Sequence, residues 1–183
     1  MATVTAPNTF LQRLIGALSL DRAIYEEVEA DERATVQAFL VVLGSSVAAG
    51  LGVRELGNQT LASIVFFSMV ALLTWAGWAL LTFEIGTRLM PEKTTRSDVG
   101  ELLRTLGFAA TPGLLRVLGI MPAVMLPVFA VTTVWMLAAM VVAVRQALDY
   151  QSTSKAIAVC VLGLFLSTTV AIVLGVLFGP TVS

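Results

Sequence analysis

The chain has 183 residues, 57% of them hydrophobic and 13% charged, with a net charge of −1. Soluble domains carry about 25% charged residues, so this chain lacks the polar surface to cover a globule in water. The near-neutral balance offers no basic stripe for nucleic acid, and the absence of histidine removes the commonest general base and metal ligand. A lone cysteine, Cys160, excludes an internal disulfide or a CxxC site and reads as a small buried hydrophobe.

In chain order, two short helices precede the first apolar run. Asn8 is placed to cap a helix whose apolar positions Leu11, Leu14, Ile15 and Leu18 follow helical spacing. Leu20, Ile24 and Val28 then recur every four residues through an acidic stretch. The first helix is amphipathic and lies on the membrane or docks on the bundle; the second, acidic on its polar side, docks on protein. No cleavable leader precedes them, so the chain enters the membrane through its own first helix.

Uncharged runs locate the spans at Ala34–Val53, Leu56–Phe83, Val117–Val144 and Ala156–Ser183. Each meets the roughly 20 residues that cross a hydrocarbon core of about 30 Å. They place helices near 34–53, 61–83, 123–144 and 156–178, with Pro122 and Pro127 shortening the third. A fifth segment, TLGFAATPGLLR from Thr105 to Arg116, is weaker, because Pro112 removes a backbone donor. It is either a broken helix running to about Met121 or a re-entrant segment. Thr95 and Asp98 fit a capping box ahead of it. The fold class is therefore an all-α polytopic bundle of about five membrane helices over 34–179, preceded by cytosolic helices in 1–33.

Basic residues orient the bundle. Five spans put Arg13, Arg22, Arg33, Arg88, Lys93, Arg96, Arg104, Arg145 and Lys155 on one side, against Arg54 and Arg116 on the other. A re-entrant segment gives a less lopsided division. The positive-inside rule thus favours five spans, N-terminus in and C-terminus out. All carboxylates but Glu55 fall on the inner side, leaving too little outside for a ligand-binding ectodomain.

Small residues form seams at Gly163, Ser167, Ala171, Gly175 and Gly179, and at Gly44/Ala48, Ser45/Ala49 and Ser46/Gly50. Such stripes let helix backbones approach closely in lipid and favour self-association or packing within the bundle. Glu84 and Arg88, Arg145 and Asp149, and Glu29 and Arg33 stand four apart and read as helix-end pairs. Arg116 stands alone in an apolar stretch after the proline break, snorkelling to headgroups or serving function. The acidic group Asp21, Glu26, Glu27, Glu29, Asp31 and Glu32 is the densest polar feature and lacks cation-loop spacing. Trp75, Trp78 and Trp135 fall near mid-span as packing residues. No nucleophile–base pair, phosphate loop or metal quartet appears, so no enzyme, cofactor or metal is expected. The residues placed to bind a partner are Asp21, Tyr25, Glu26, Glu29, Glu84, Arg88, Arg104, Pro112, Arg116 and Asp149.

The stretches LDRAIYEEVEADERAT, ELLRTLGFAATPGLLRVLG, VWMLAAMVVAVRQALDY and STSKAIAVC resemble bacterial members of the YIP family, the Ypt/Rab-interacting membrane proteins. The likeness runs from about Leu20 to Gly179 and is most specific from Thr105 to Tyr150. It implies five membrane helices, a cytosolic N-terminus and a very short outer C-terminus. Eukaryotic relatives act in vesicle traffic and bind small GTPases; the DLYGP-type motif of those proteins is missing here. The expectation is a membrane scaffold or adaptor with lipid, a cytosolic protein and a second copy as partners. A small-solute transporter or channel built on the broken third helix is the alternative.

Overall fold

The structure, a computed structural model, describes residues 8–53 and 60–178. Its elements are α1 (Phe10–Leu18), α2 (Arg22–Ala30), α3 (Ala34–Gly52), α4 (Leu61–Glu84), α5 (Val99–Ala109), α6 (Pro122–Ala147) and α7 (Thr153–Phe178). A π turn, Ile85–Leu89, extends α4, and a 3₁₀ segment, Thr111–Ile120, follows α5. Among the described residues there is no strand. An all-α membrane bundle is what the apolar runs require.

The caps differ from the sequence expectation at both amphipathic starts. Thr9, not Asn8, caps α1 in a capping box with Gln12, and Asn8 instead donates its backbone N–H to Glu27 at 3.0 Å. Asp98, not Thr95, caps α5, with Glu101 completing the box. In each case the acceptor one turn ahead of the first free N–H groups wins. Leu20, in the left-handed region at φ 58°, makes the turn from α1 to α2. Pro122 opens α6, where its missing N–H costs nothing, and the helix continues through Pro127 to Ala147 instead of ending near 144.

The proline break is handled locally. An α-helix would bond the N–H of residue 112 to the carbonyl of Phe108, and Pro112 has none. The Thr111 hydroxyl supplies the missing donor to that carbonyl at 2.6 Å. Gly113 then bonds Ala110 in the tighter i to i+3 pattern at 2.9 Å, which continues to Ile120. Runs of 3₁₀ helix beyond 3–4 residues are uncommon; here the longer rise stretches the segment. Together α5 and the 3₁₀ segment extend roughly 35 Å, at about 1.5 and 2.0 Å per residue.

That segment runs beside α3 in the same direction. A Cβ on Gly107 would lie 2.5 Å from the Ala38 Cβ, one on Gly113 1.9 Å from the Ser45 Oγ, and one on Gly52 2.2 Å from the Arg116 carbonyl. The register therefore advances together from the start of α3 to its end, which a segment folding back on itself cannot do. Close approach of backbones through small residues is the packing that lipid rewards.

Burial is inverted relative to a soluble protein. Leu73 is 70% exposed, Leu126 76% and Phe165 67%, while Ala38, Ala79, Ala139, Ala143 and Thr105 are fully buried. By length and composition α3, α4 with its π turn, and α6 can each cross a membrane. The apolar part of α7 whose side chains are described, Thr153–Thr169, is shorter.

Candidate functional site at the polar end of the bundle

The ends of α4 and α6 and the starts of α5 and α7 gather beside α1 and α2. Tyr150 ties two of these connections together, its hydroxyl donating to the carbonyls of Gly86 at 3.0 Å and Met90 at 2.8 Å. Glu92 accepts the Gln151 N–H at 2.9 Å and pairs with Lys155 at 3.7 Å. Burial and the Glu92 charge push the Tyr150 hydroxyl up to about 12, so it stays a donor. The loops after α4 and after α6 thus form one platform.

Arg104 joins that platform to α2. Its side chain is buried and its guanidinium donates to the carbonyls of Val28 at 3.1 Å and Glu29 at 2.9 Å. These are C-terminal carbonyls of α2, unpaired within the helix, and a cation there also complements the helix dipole. The Glu29 carboxyl is pushed up to about 8, first by burial and then by the charges of Glu101, Asp149 and Glu26, which outweigh Arg104.

A second hub holds α1, α2 and α3. Arg13 is 2% exposed and bonds Glu27 at 2.8 Å, Asp31 at 2.7 Å and Gln37 at 2.9 Å. Burial alone would lower its pKa, but the hydrogen bonds to Asp31 and Glu27 raise it above its ordinary value. Burial likewise works to raise Glu27, and hydrogen bonds from Asn8 and Arg13 hold it lower instead. The Arg13 hydrogen bond holds Asp31 below the usual carboxylate range. Around this hub α1 is docked on the bundle, with Phe10 edge-on to Phe108 at 6.4 Å. Leu11 and Ile15 remain exposed, so its outward face is apolar as well.

The expected partner-binding residues separate into groups. Asp21, Glu26 and Asp149 are exposed, Asp21 as the cap of α2 and Asp149 at φ 51° with its carbonyl accepting from Thr94. Glu84 pairs with Arg88 at 3.0 Å on an exposed helix end, where such a pair contributes little. Glu29 and Arg104 meet at the α2 terminus. Tyr25 is fully buried with its hydroxyl 3.4 Å from the Ala17 carbonyl, and burial raises its pKa; it is a packing residue. Two expected pairs do not form among the described residues. Arg145 donates instead to the carbonyls of Tyr150 and Gln151, and the Arg33 N–H is held by Asp31 across the break between α2 and α3.

Pro112 and Arg116 lie away from this platform. Pro112 is buried. Arg116, level with the end of α3, donates to Thr132 at 3.2 Å and Thr133 at 2.8 Å and stacks over Phe129 at 5.2 Å. Between α3, α4, α6 and α7 lies a mainly apolar cleft of about 1440 Å³ with Arg116 in its wall. Trp78 stands in that wall too, its ring against Gly163 and its N–H without an acceptor among the described residues. Trp75 and Trp135 donate to the carbonyls of Leu103 and Leu18, so both bridge elements as well as pack. The seam faces at Gly44, Ser45 and Gly163 are covered by Leu114, Gly113 and Trp78 of the same chain. Gly179, Arg54 and Glu55 lie outside the described residues.

The hub at Arg13 is what sequence reasoning missed. Arg13 is the one ionised side chain on α1, and the acidic excess of α2 directly follows it. Read together, those two features pair the helices.

A family model, the Yip1 domain, matches residues 4–175. The chain belongs to the Yip1 family. Its match takes in α1 and α2 together with the bundle, as the Arg13 and Arg104 contacts make physically sensible. No curated protein and no solved structure matches the chain. Membership in the Yip1 family and the apolar helices make this a multi-pass integral membrane protein.

Proposed function

We propose that this Yip1-family chain is a non-enzymatic membrane scaffold or adaptor that presents its polar end to a cytosolic protein. The carrying observation is the braced platform. Arg104 fixes α2 to α5, Arg13 fixes α1 and α2 to α3, and Tyr150 fixes the two loops. Exposed on this end are acidic Asp21, Glu26 and Glu32 beside basic Arg88, Lys93 and Arg96, a surface of both signs held in fixed register. In this reading the five segments alternate in direction, with the N-terminus in the cytoplasm of a bacterial inner membrane. Self-association would use the exposed faces of α4 and α7, because the seam positions Gly44, Ser45 and Gly163 are covered within the chain.

Solute passage is less well supported. Among the described residues, neither Glu84 nor Pro112 lines the cleft that holds Arg116; the Pro112 break is packed against α3, and that cleft is mainly apolar. The test is photocrosslinking in native membranes from probes replacing Glu26 and Arg96. A protein adduct at both positions is expected, and recovery of lipid alone would overturn the scaffold reading. Flux of a small ion or solute through liposomes, lost in Arg116→Ala, would instead establish transport.

A further inference from the structure

We infer that the cleft between α3, α4, α6 and α7 is a binding site for one phospholipid with an anionic headgroup, whose phosphate Arg116 receives. The cleft's volume, about 1440 Å³, exceeds the roughly 300–1,000 Å³ of ordinary small-molecule sites. Its walls are helix faces such as Val42, Leu81, Met140 and Ile157. Along α3 the lining runs from Val42 to Val53, roughly 16 Å at 1.5 Å per residue, or about half the hydrocarbon thickness. That is the depth of acyl chains in one leaflet.

Charge selects the occupant. Among the described residues, Arg116 is the only ionised one in the cleft wall. Its Nε and Nη2 are engaged by Thr132 and Thr133, which aim the guanidinium and, among the described residues, leave Nη1 for a ligand oxygen. No carboxylate among the described residues pairs with it, and a cation near hydrocarbon is costly without an anionic partner. A second copy inserting α4 or α7 brings no relief, since Leu61–Phe83 and Thr153–Phe178 contain no acidic residue. A phosphate matches the guanidinium fork and carries the required sign. Arg116 lies level with Gly52, the last residue of α3, where the helix meets the headgroups.

Two glycines provide a clean test. Gly50 and Gly77 line the cleft, and a Cβ at either would meet nothing within 4 Å among the described residues, so Gly50→Leu and Gly77→Leu start from open space and direct bulk into the site. The full chain is purified in detergent, given equal phosphatidylglycerol and phosphatidylcholine of matched acyl chains, and weighed by native mass spectrometry. Thermal melts confirm that each variant is folded. Wild type is expected to retain one phosphatidylglycerol, preferred by about tenfold, the order of one charge-assisted contact. The double glycine variant should lose retention of both lipids, and Arg116→Gln should retain the two equally. Glu55→Gln is expected to keep the preference. Equal retention of the two lipids by wild type, or retention unchanged in the filled variant, overturns the inference. So does a dimer that the filled variant dissociates without any lipid bound, which would make the cleft an interface between copies.

Discussion

The guanidinium of Arg104 donates to the backbone carbonyl of Glu29 at 2.9 Å, while the carboxyl of the same residue goes unpaired among the described residues. A single arginine thus closes the end of α2 and leaves an acid half-buried beside three other acids. Arg104→Met should strand those carbonyls and cost about 1–3 kcal/mol, the penalty for an unsatisfied buried group. Faster amide exchange across α2, with little change in α7, is the expected signature.

Glu29 makes stability depend on pH. Its carboxyl is raised from an ordinary 4.5 to about 8 in the folded protein, so the folded state holds the proton more tightly than the unfolded chain. The stabilisation is complete below pH 4.5 and is lost as pH rises towards 8. Glu29→Gln should remove that fall. Melts of both proteins between those limits should diverge most at the alkaline end, the variant being the more stable there.

The Arg13 hub has the opposite sign. Glu27 and Asp31 are held below their ordinary values of 4.5 and 3.8, so their contribution is present above those values and disappears as pH falls through the lower folded ones. Arg13→Met removes a cation that is 2% exposed from carboxylates that are 24% and 29% exposed. Breaking a fully buried pair costs about 3–5 kcal/mol, and partial solvation of the acids reduces this to about 2–3. Limited proteolysis should then cut between α1 and α2 while the bundle stays intact.

The contact of Gly113 with Ser45 tests the shared register of α3 and the 3₁₀ segment. A methyl at residue 113 would sit 1.9 Å from the Ser45 Oγ, and overpacking of this kind costs about 1–3 kcal/mol. Gly113→Ala should lower the melting temperature, and Ser45→Ala on top of it should restore part of the loss by removing the oxygen. Strictly additive effects in that double-mutant cycle would contradict the contact.

Much of the bundle is legible because charge is forbidden at membrane depth. Uncharged runs therefore locate α3, α4, α6 and α7 to within a few residues at most ends. The segment around Pro112 is not legible in the same way. A proline announces a broken helix but not its repair, which depends on the Thr111 hydroxyl and on glycines facing α3. At the polar end, spacing of four suggested pairs for Arg145 and Glu29 that helix termini overrule, because free carbonyls and a break at Asp31 offer nearer partners. Tyr25, placed with its acidic neighbours among the partner-binding residues, is carried by the turn at Leu20 to face Ala17 instead. Arg13 and Arg104 show the general difficulty: their partners lie 14 and 75 residues away along the chain, beyond any local pattern.

The pairing of Gly107, Gly113 and Gly52 with their neighbours also bears on biogenesis. A segment interrupted by Pro112 and bearing Arg116 is a poor substrate for partitioning from the translocon by itself. Its backbone fits flush along α3, which emerges from the ribosome earlier and can act as a rail. In the five-span reading proposed above, entry of this segment into the bilayer is thereby tied to an already inserted helix, and damage to α3 would be felt as a topology defect before it was felt as lost stability.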